Sequence, residues 1–106
     1  MSGCPPLDLG NNELLIVKDI LSRHAPDSTV WVFGSRATGR AKTFSDLDLC
    51  FKAPQPLSLD RISAMAEDFA ESDLPWKVDI VDWWSISERF REIIARDQVL
   101  LQQGQG

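Results

Sequence analysis

Two cysteines, Cys4 and Cys50, and one histidine, His24, are the only thiol and imidazole side chains in the 106 residues. Two cysteines without CxxC spacing make no disulfide scaffold, and one histidine cannot supply a histidine-rich zinc site. No apolar run approaches the roughly 20 residues that cross a bilayer. The N-terminus, MSGCPPLDLG, lacks the basic and apolar segments of a secretory signal. A soluble, cytoplasmic chain with no membrane contact is expected. Positive charge is also scarce, since Lys+Arg 11 against Asp+Glu 16 leaves a net charge of −5. An acidic domain without a long basic stripe is a poor binder of duplex DNA or RNA through phosphate contacts. It can still hold a nucleotide if a metal ion supplies positive charge.

The composition that remains is that of an ordinary globule large enough for one core. The length predicts one domain over 1–106, with a loose leader over 1–10 and a frayed tail over 102–106. Between them helix and strand alternate. Asn11 or Asn12 can cap a helix through ELLIVKDILSRH, where Leu14, Val17, Ile20 and Leu21 recur at helical spacing. Thr29 to Phe33 (TVWVF) is a continuous β-branched and aromatic run, as in a strand covered on both faces. Gly34 ends it, and a polar stretch, SRATGRAKTFS, follows. Asp46 to Phe51 alternates, with Leu47, Leu49 and Phe51 on one face and Asp46, Asp48 and Cys50 on the other. Ser58 can cap a helix striped by Leu59, Ile62, Met65, Ala66 and Phe69. Trp76 to Val81 predicts a third strand. Ser85 and Glu88 form a capping box before a last helix that ends ahead of VLLQ. The order α-β-loop-β-α-β-α predicts an α/β fold, a small mixed sheet packed by helices.

Chemistry is concentrated in Gly34-Ser35, ten residues, then Asp46-x-Asp48, with a further strand carboxylate at Asp79. A glycine closing a buried strand can take a backbone angle closed to other residues and lets a ligand approach the main chain. Ser35 offers a hydroxyl and a backbone N–H, the groups that hold a phosphate oxygen. Asp46 and Asp48 point the same way about 6.6 Å apart along a strand. Convergent carboxylates suit Mg²⁺, which takes oxygen ligands and keeps phosphates as partners. A pair of ions about 3.5–4 Å apart clamps the entering and leaving oxygens of an in-line displacement at phosphorus. Either motif alone is commonplace, and a lone D-x-D is usually a solvated strand face. Together, two aspartates among strongly apolar neighbours are costly unless something neutralises them. The intervening loop carries Arg36, Arg40 and Lys42 with no acid, the one locally basic stretch of the chain.

GSRATGRAKTFSDLDL resembles the G-S-x10-D-x-D signature of the DNA polymerase β-like nucleotidyltransferases. The short length, the GSRA-x-G start and the WKVDIVDW strand resemble the minimal nucleotidyltransferases, antitoxin partners of HEPN-domain toxins. The resemblance spans about residues 12 to 97. It implies the polymerase β-like fold and Mg²⁺-dependent transfer of a nucleoside monophosphate, usually AMP from ATP, onto a hydroxyl of a HEPN-type partner. By it, Gly34 and Ser35 match the phosphate-holding pair, and Asp46 and Asp48 match metal ligands. Asp79 matches the third carboxylate, which helps hold the metal and accepts the proton of the incoming hydroxyl. Asp82 is its rival, but three residues on it faces the other way in an extended strand. Arg36 is expected as a phosphate contact, whereas Arg40 and Lys42 fit a phosphate or a solvated loop equally.

Trp31 is expected in the core. Trp76, Trp83 and Trp84 cluster around one strand, and core packing is expected of them against an adenine-stacking or partner-docking surface. His24 suits a helix C-terminus, and Cys50 reads as a small buried hydrophobe. Two other functions compete with the enzyme. One is a module that binds nucleotide or toxin without turnover, although such a binder has no need of three convergent carboxylates. The other is a small-molecule, antibiotic-type adenylyltransferase, whose acceptor pocket needs an additional domain that 106 residues do not accommodate.

Overall fold

The computed structural model of the chain describes residues 9–38 and 45–104. Cys4, Arg40, Lys42, most of the expected leader and the last two residues of the expected tail lie outside the described residues. The elements are α1 (Asn11–His24), β1 (Thr29–Phe33), α2 (Ser35–Thr38), β2 (Leu47–Lys52), α3 (Leu59–Glu71) and β3 (Val78–Asp82). A 3₁₀ turn (Trp83–Ser85), α4 (Glu88–Asp97) and β4 (Val99–Gln102) follow. The sheet order is β3-β2-β1-β4. β1 runs antiparallel to β2 and β4, while β2 and β3 are parallel, joined through α3 as parallel neighbours require. The expected α/β architecture with a mixed sheet is therefore present.

The two faces of the sheet differ. On the inner face Val30, Val32, Leu47, Leu49 and Phe51 are wholly buried against Val17 and Leu21 of α1 and Met65 and Phe69 of α3. On the outer face a smaller cluster joins Phe33, Cys50 and Ile94, with Trp31, Val81, Trp83 and Phe90 packed around it. Phe90 of α4 meets Phe33 edge to face at 5.8 Å. β1 is thus covered on both sides, which is why it reads as an unbroken apolar run. β2 keeps its alternation, with leucines inward and Asp48 and Cys50 outward.

Several local expectations are corrected. The N-cap of α1 is Gly10 rather than Asn11 or Asn12, because the Glu13 carboxylate reaches back to accept the Gly10 N–H at 2.8 Å. The cap of α4 is Ser87, whose Oγ accepts the Phe90 N–H at 3.2 Å. Ser85 instead donates to Asp82 Oδ2 at 3.2 Å, because Asp82 caps a 3₁₀ turn that takes up Trp83 to Ser85. β2 begins at Leu47, and β3 begins at Val78 rather than Trp76. The first four residues of the polar stretch after Gly34 form α2. VLLQ is an edge strand, and the tail from 102 is anchored through 104. Gln102 Nε2 donates to the carbonyls of Ala25 (2.8 Å) and Ser28 (2.9 Å), and the Gly104 N–H donates to Thr29 Oγ1 (3.0 Å).

Candidate active site

The antiparallel pairing of β1 and β2 sets Phe33 opposite Asp48, so the residue after β1 turns directly beside that carboxylate. That residue is Gly34, at φ +77°, and a Cβ added there would collide with Asp48 Oδ2. The backbone angle requires glycine, and a side chain there would displace the Asp48 carboxylate. Ser35 then opens α2. The turn is tied by the Ala37 N–H to the Gly34 carbonyl at 3.1 Å and by Thr38 Oγ1 to the Ser35 carbonyl at 3.3 Å. The first N–H groups of a helical turn have no partner within it, so this corner offers donors to an anion beside Asp48.

Parallel pairing supplies the second carboxylate. Asp48 of β2 registers with Asp79 of β3, and both project from the outer face. The two carboxyls are within hydrogen-bonding reach. The Asp48 carboxyl is pushed up to about 6, chiefly by burial, then by the charge and hydrogen bond of Asp79 and the charge of Asp46. Such a pair is comfortable only when it shares a proton or a cation. Asp46 lies exposed just ahead of β2 and acts on Asp48 through its charge. Among the described residues no three His, Cys, Asp or Glu side chains come together as a metal-binding group. Gly34, Asp48 and Asp79 converge, and Asp46, just ahead of β2, is near enough for its charge to act on Asp48. Two carboxylates registered side by side next to the Gly34 turn are a donor set of the kind Mg²⁺ takes, one or two carboxylates plus substrate phosphates.

The rival carboxylate is fully occupied elsewhere. Asp82 is buried, and it accepts the Trp84 N–H (3.1 Å), the Leu57 N–H (3.2 Å) and the Ser85 hydroxyl. Parity places it on the side opposite Asp79, where it caps a turn.

Arg36 is only 5% exposed. Its Nε donates to the Ser45 carbonyl at 3.0 Å, and its guanidinium lies 4.4 Å from the centre of the Trp76 ring. It thereby braces the residue after Ser35 against the residue before Asp46, closing the loop's two ends. The sequence carries no local sign of this brace, because Trp76 lies 40 positions away and meets Arg36 only across the fold. Trp76 is also parted from Trp83 and Trp84, which meet Lys52 and Arg91 at the other end of β2 and β3. Trp31 and Trp83 pack partly buried against the outer cluster and Trp76 against the inner one, as expected, whereas Trp84 is exposed and departs from the expected core packing. Cys50 is wholly buried, and burial pushes its thiol up to about 11, which leaves it inert. His24 hydrogen-bonds Asp68 of α3, a clamp between helices rather than a dipole contact alone.

The family model for the nucleotidyltransferase domain matches residues 14–101. Over 103 residues the chain is 48% identical to the probable protein adenylyltransferase MntA of Haemophilus influenzae, covering 97% of this chain and 90% of that protein. A solved toxin–antitoxin structure with AMP-PNP matches with a TM-score of 0.74 at 25% identity, over 87% of this chain and 74% of that one. The complex of tri-AMPylated Shewanella oneidensis HEPN toxin with MNT antitoxin shares the fold, with a TM-score of 0.66 at 22% identity over 87% and 70% of the two chains. No helix among the described residues is long and apolar enough to cross a membrane.

Proposed function

This chain belongs to the nucleotidyltransferase domain family, and we propose that it moves AMP from ATP onto a hydroxyl of a HEPN-type toxin partner, acting in the cytoplasm as antitoxin. The observation that carries this reading is the convergence of Gly34, Asp48 and Asp79 at one corner of the outer face. Likeness over nearly the whole chain to a protein adenylyltransferase, and to a toxin–antitoxin structure with AMP-PNP, supports the nucleotide and the acceptor class.

Gly34 and the start of α2 hold the triphosphate, with the Ser35 hydroxyl as a further donor. Asp46, Asp48 and Asp79 would hold Mg²⁺, which when bound supplies positive charge to the phosphates and the attacking oxygen. Asp79 is the more exposed of the registered pair and faces the incoming hydroxyl. It takes that proton as the oxygen bonds to the α-phosphorus and the bond to pyrophosphate breaks. Arg36, braced on the Ser45 carbonyl and the Trp76 ring, fixes where Ser35 stands relative to Asp46 and is the further phosphate contact beside it.

The test mixes the chain, ATP, Mg²⁺ and a HEPN-domain protein from its own organism, and weighs the HEPN protein by mass spectrometry. Adenylyl groups added by the parent and absent with Asp79→Asn support the enzyme. A HEPN protein that is bound and silenced yet never modified makes the chain a non-catalytic binder.

A further inference from the structure

At the end of the outer face away from Gly34, three tryptophans and two cations form one surface. Trp31 and Trp83 rings are 5.8 Å apart. Lys52 Nζ lies 5.4 Å from the Trp83 ring centre and 5.8 Å from that of Trp84. The Arg91 guanidinium lies 4.8 and 5.8 Å from the same two rings, and its Nη2 donates to the Trp83 carbonyl at 2.8 Å. Trp84 is held in place by its Nε1 donating to the Ala53 carbonyl at 2.8 Å, yet it remains 43% exposed. Leu100, register partner of Trp31, is 54% exposed. Between Trp31, Lys52 and Trp84 lies an open concavity of about 360 Å³.

The charges of this surface are unbalanced. Among the described residues no carboxylate is within ion-pair distance of Lys52 or Arg91. Asp27, at the rim of the concavity, is already bound to Arg61 at 2.8 Å. In a chain of net charge −5, two cations laid on indoles with no ion-pair partner among the described residues are placed to meet acidic groups of a partner. Fixed tryptophans and arginine are what protein interfaces concentrate at their centres. We propose that this surface docks the acceptor protein, taking an apolar or aromatic side chain of the partner into the concavity and acidic side chains against Lys52 and Arg91. Single-stranded nucleic acid also stacks on tryptophan, but it needs a cationic track along its backbone, and an acidic chain with two cations here has none.

The proposal rests on the reading of the chain as a protein-modifying enzyme and adds a distance to it. Lys52 and Asp48 project from the same face four residues apart on β2, about 13 Å along the strand. The partner's anchor and its acceptor hydroxyl are then separated by that order of distance, with α4 crossing between them.

The test measures affinity for the same HEPN-domain protein by calorimetry, alongside the rise in melting temperature that ATP and Mg²⁺ produce. Lys52→Glu and Trp84→Ala should each weaken partner binding about tenfold, the range of an interface residue worth more than 1 kcal/mol. Arg91→Glu should weaken it further, and Arg23→Glu, on the far helical face, should not. The nucleotide response should stay that of the parent in all four. Lys52 supports no described hydrogen bond, so its variant remains informative if Arg91→Glu folds poorly. Partner affinity within twofold of the parent for both Lys52→Glu and Trp84→Ala overturns the docking site. So does a parent that binds single-stranded RNA through these residues and not the HEPN protein. A parent that binds through this surface but never adenylylates leaves docking in place and removes the enzyme.

Discussion

Leu49 and Asp48 are neighbours in sequence and opposites in consequence. Leu49 points inward and is wholly buried between α1 and α3, where close packing decides its worth. Asp48 points outward, half-buried beside a second carboxylate, where the folded chain without metal holds two groups that repel. One face of the sheet carries stability, and the other gives up stability for the proposed reactive corner and an open aromatic surface. Period-two alternation is what allows both on a single strand.

The sharpest way to break this comparison is to substitute the two neighbours separately. Asp48→Asn should lower AMP transfer by about 10³-fold, the scale of losing a main electrostatic element of a site, while the protein stays folded. Leu49→Ala should do the reverse, costing about 2–5 kcal/mol of stability in a denaturant titration with turnover per folded molecule near the parent's. An Asp48→Asn protein that transfers AMP normally would place the reactive corner elsewhere.

Gly34→Ala tests the hinge between the faces and should damage both properties. The left-handed backbone alone costs about 1–3 kcal/mol, and the added methyl displaces the Asp48 carboxylate. Loss of the melting-temperature response to ATP and Mg²⁺ should accompany it. Normal nucleotide binding in this variant would mean that the carboxylate's approach to the glycine is incidental.

A smaller effect is expected at the brace. Trp76→Ala removes the ring under Arg36 and should raise KM for ATP by about tenfold, a loss near the upper range of cation–π contacts, with kcat less affected. Trp76→Phe keeps a ring face and should recover most of it. Equal loss in both variants, confined to stability, would make the tryptophan simple core.

The smallest effect is a pH dependence. The Asp48 carboxyl titrates at about 6 in the folded protein, raised from the 3.8 of an ordinary aspartate in the unfolded chain, so folding favours the protonated form. Its stabilising contribution is full below about 3.8 and is lost as pH rises through about 6. Without metal, the parent should melt below Asp48→Asn at pH 7, with the gap closing as pH falls toward about 5. Mg²⁺ with ATP should raise the parent and not the variant. A gap that does not change with pH would show that neither burial nor the neighbouring carboxyls raise Asp48 in the folded chain.

Much of this was legible along the chain because it depends on residues close in sequence. Alternation in DLDLCF put Asp48 and the leucines on opposite faces before any partner strand was known, and parity separated Asp79 from Asp82. Gly34 after TVWVF marked the turn. Less legible were the starts of helices, where Gly10 with Glu13 and Ser87 outcompeted nearer-looking caps, since capping is decided by which side chain reaches a free N–H. Four residues, VLLQ, carry too little periodicity to separate strand from frayed end.

What the sequence determined by itself was α1, β1, β2, α3, β3 and α4 in that order, the mixed sheet and the residues of the proposed site, because local periodicity and fixed spacing suffice for those. Only the tertiary structure decided the rest. It closed Arg36 onto Trp76, parted Trp76 from Trp83 and Trp84, drew Asp79 to Asp48, and bound Gln102 back to Ala25 and Ser28. Each of these relations is set by strand register and helix packing, mostly between residues distant in the chain, and none leaves a local imprint in the amino-acid pattern.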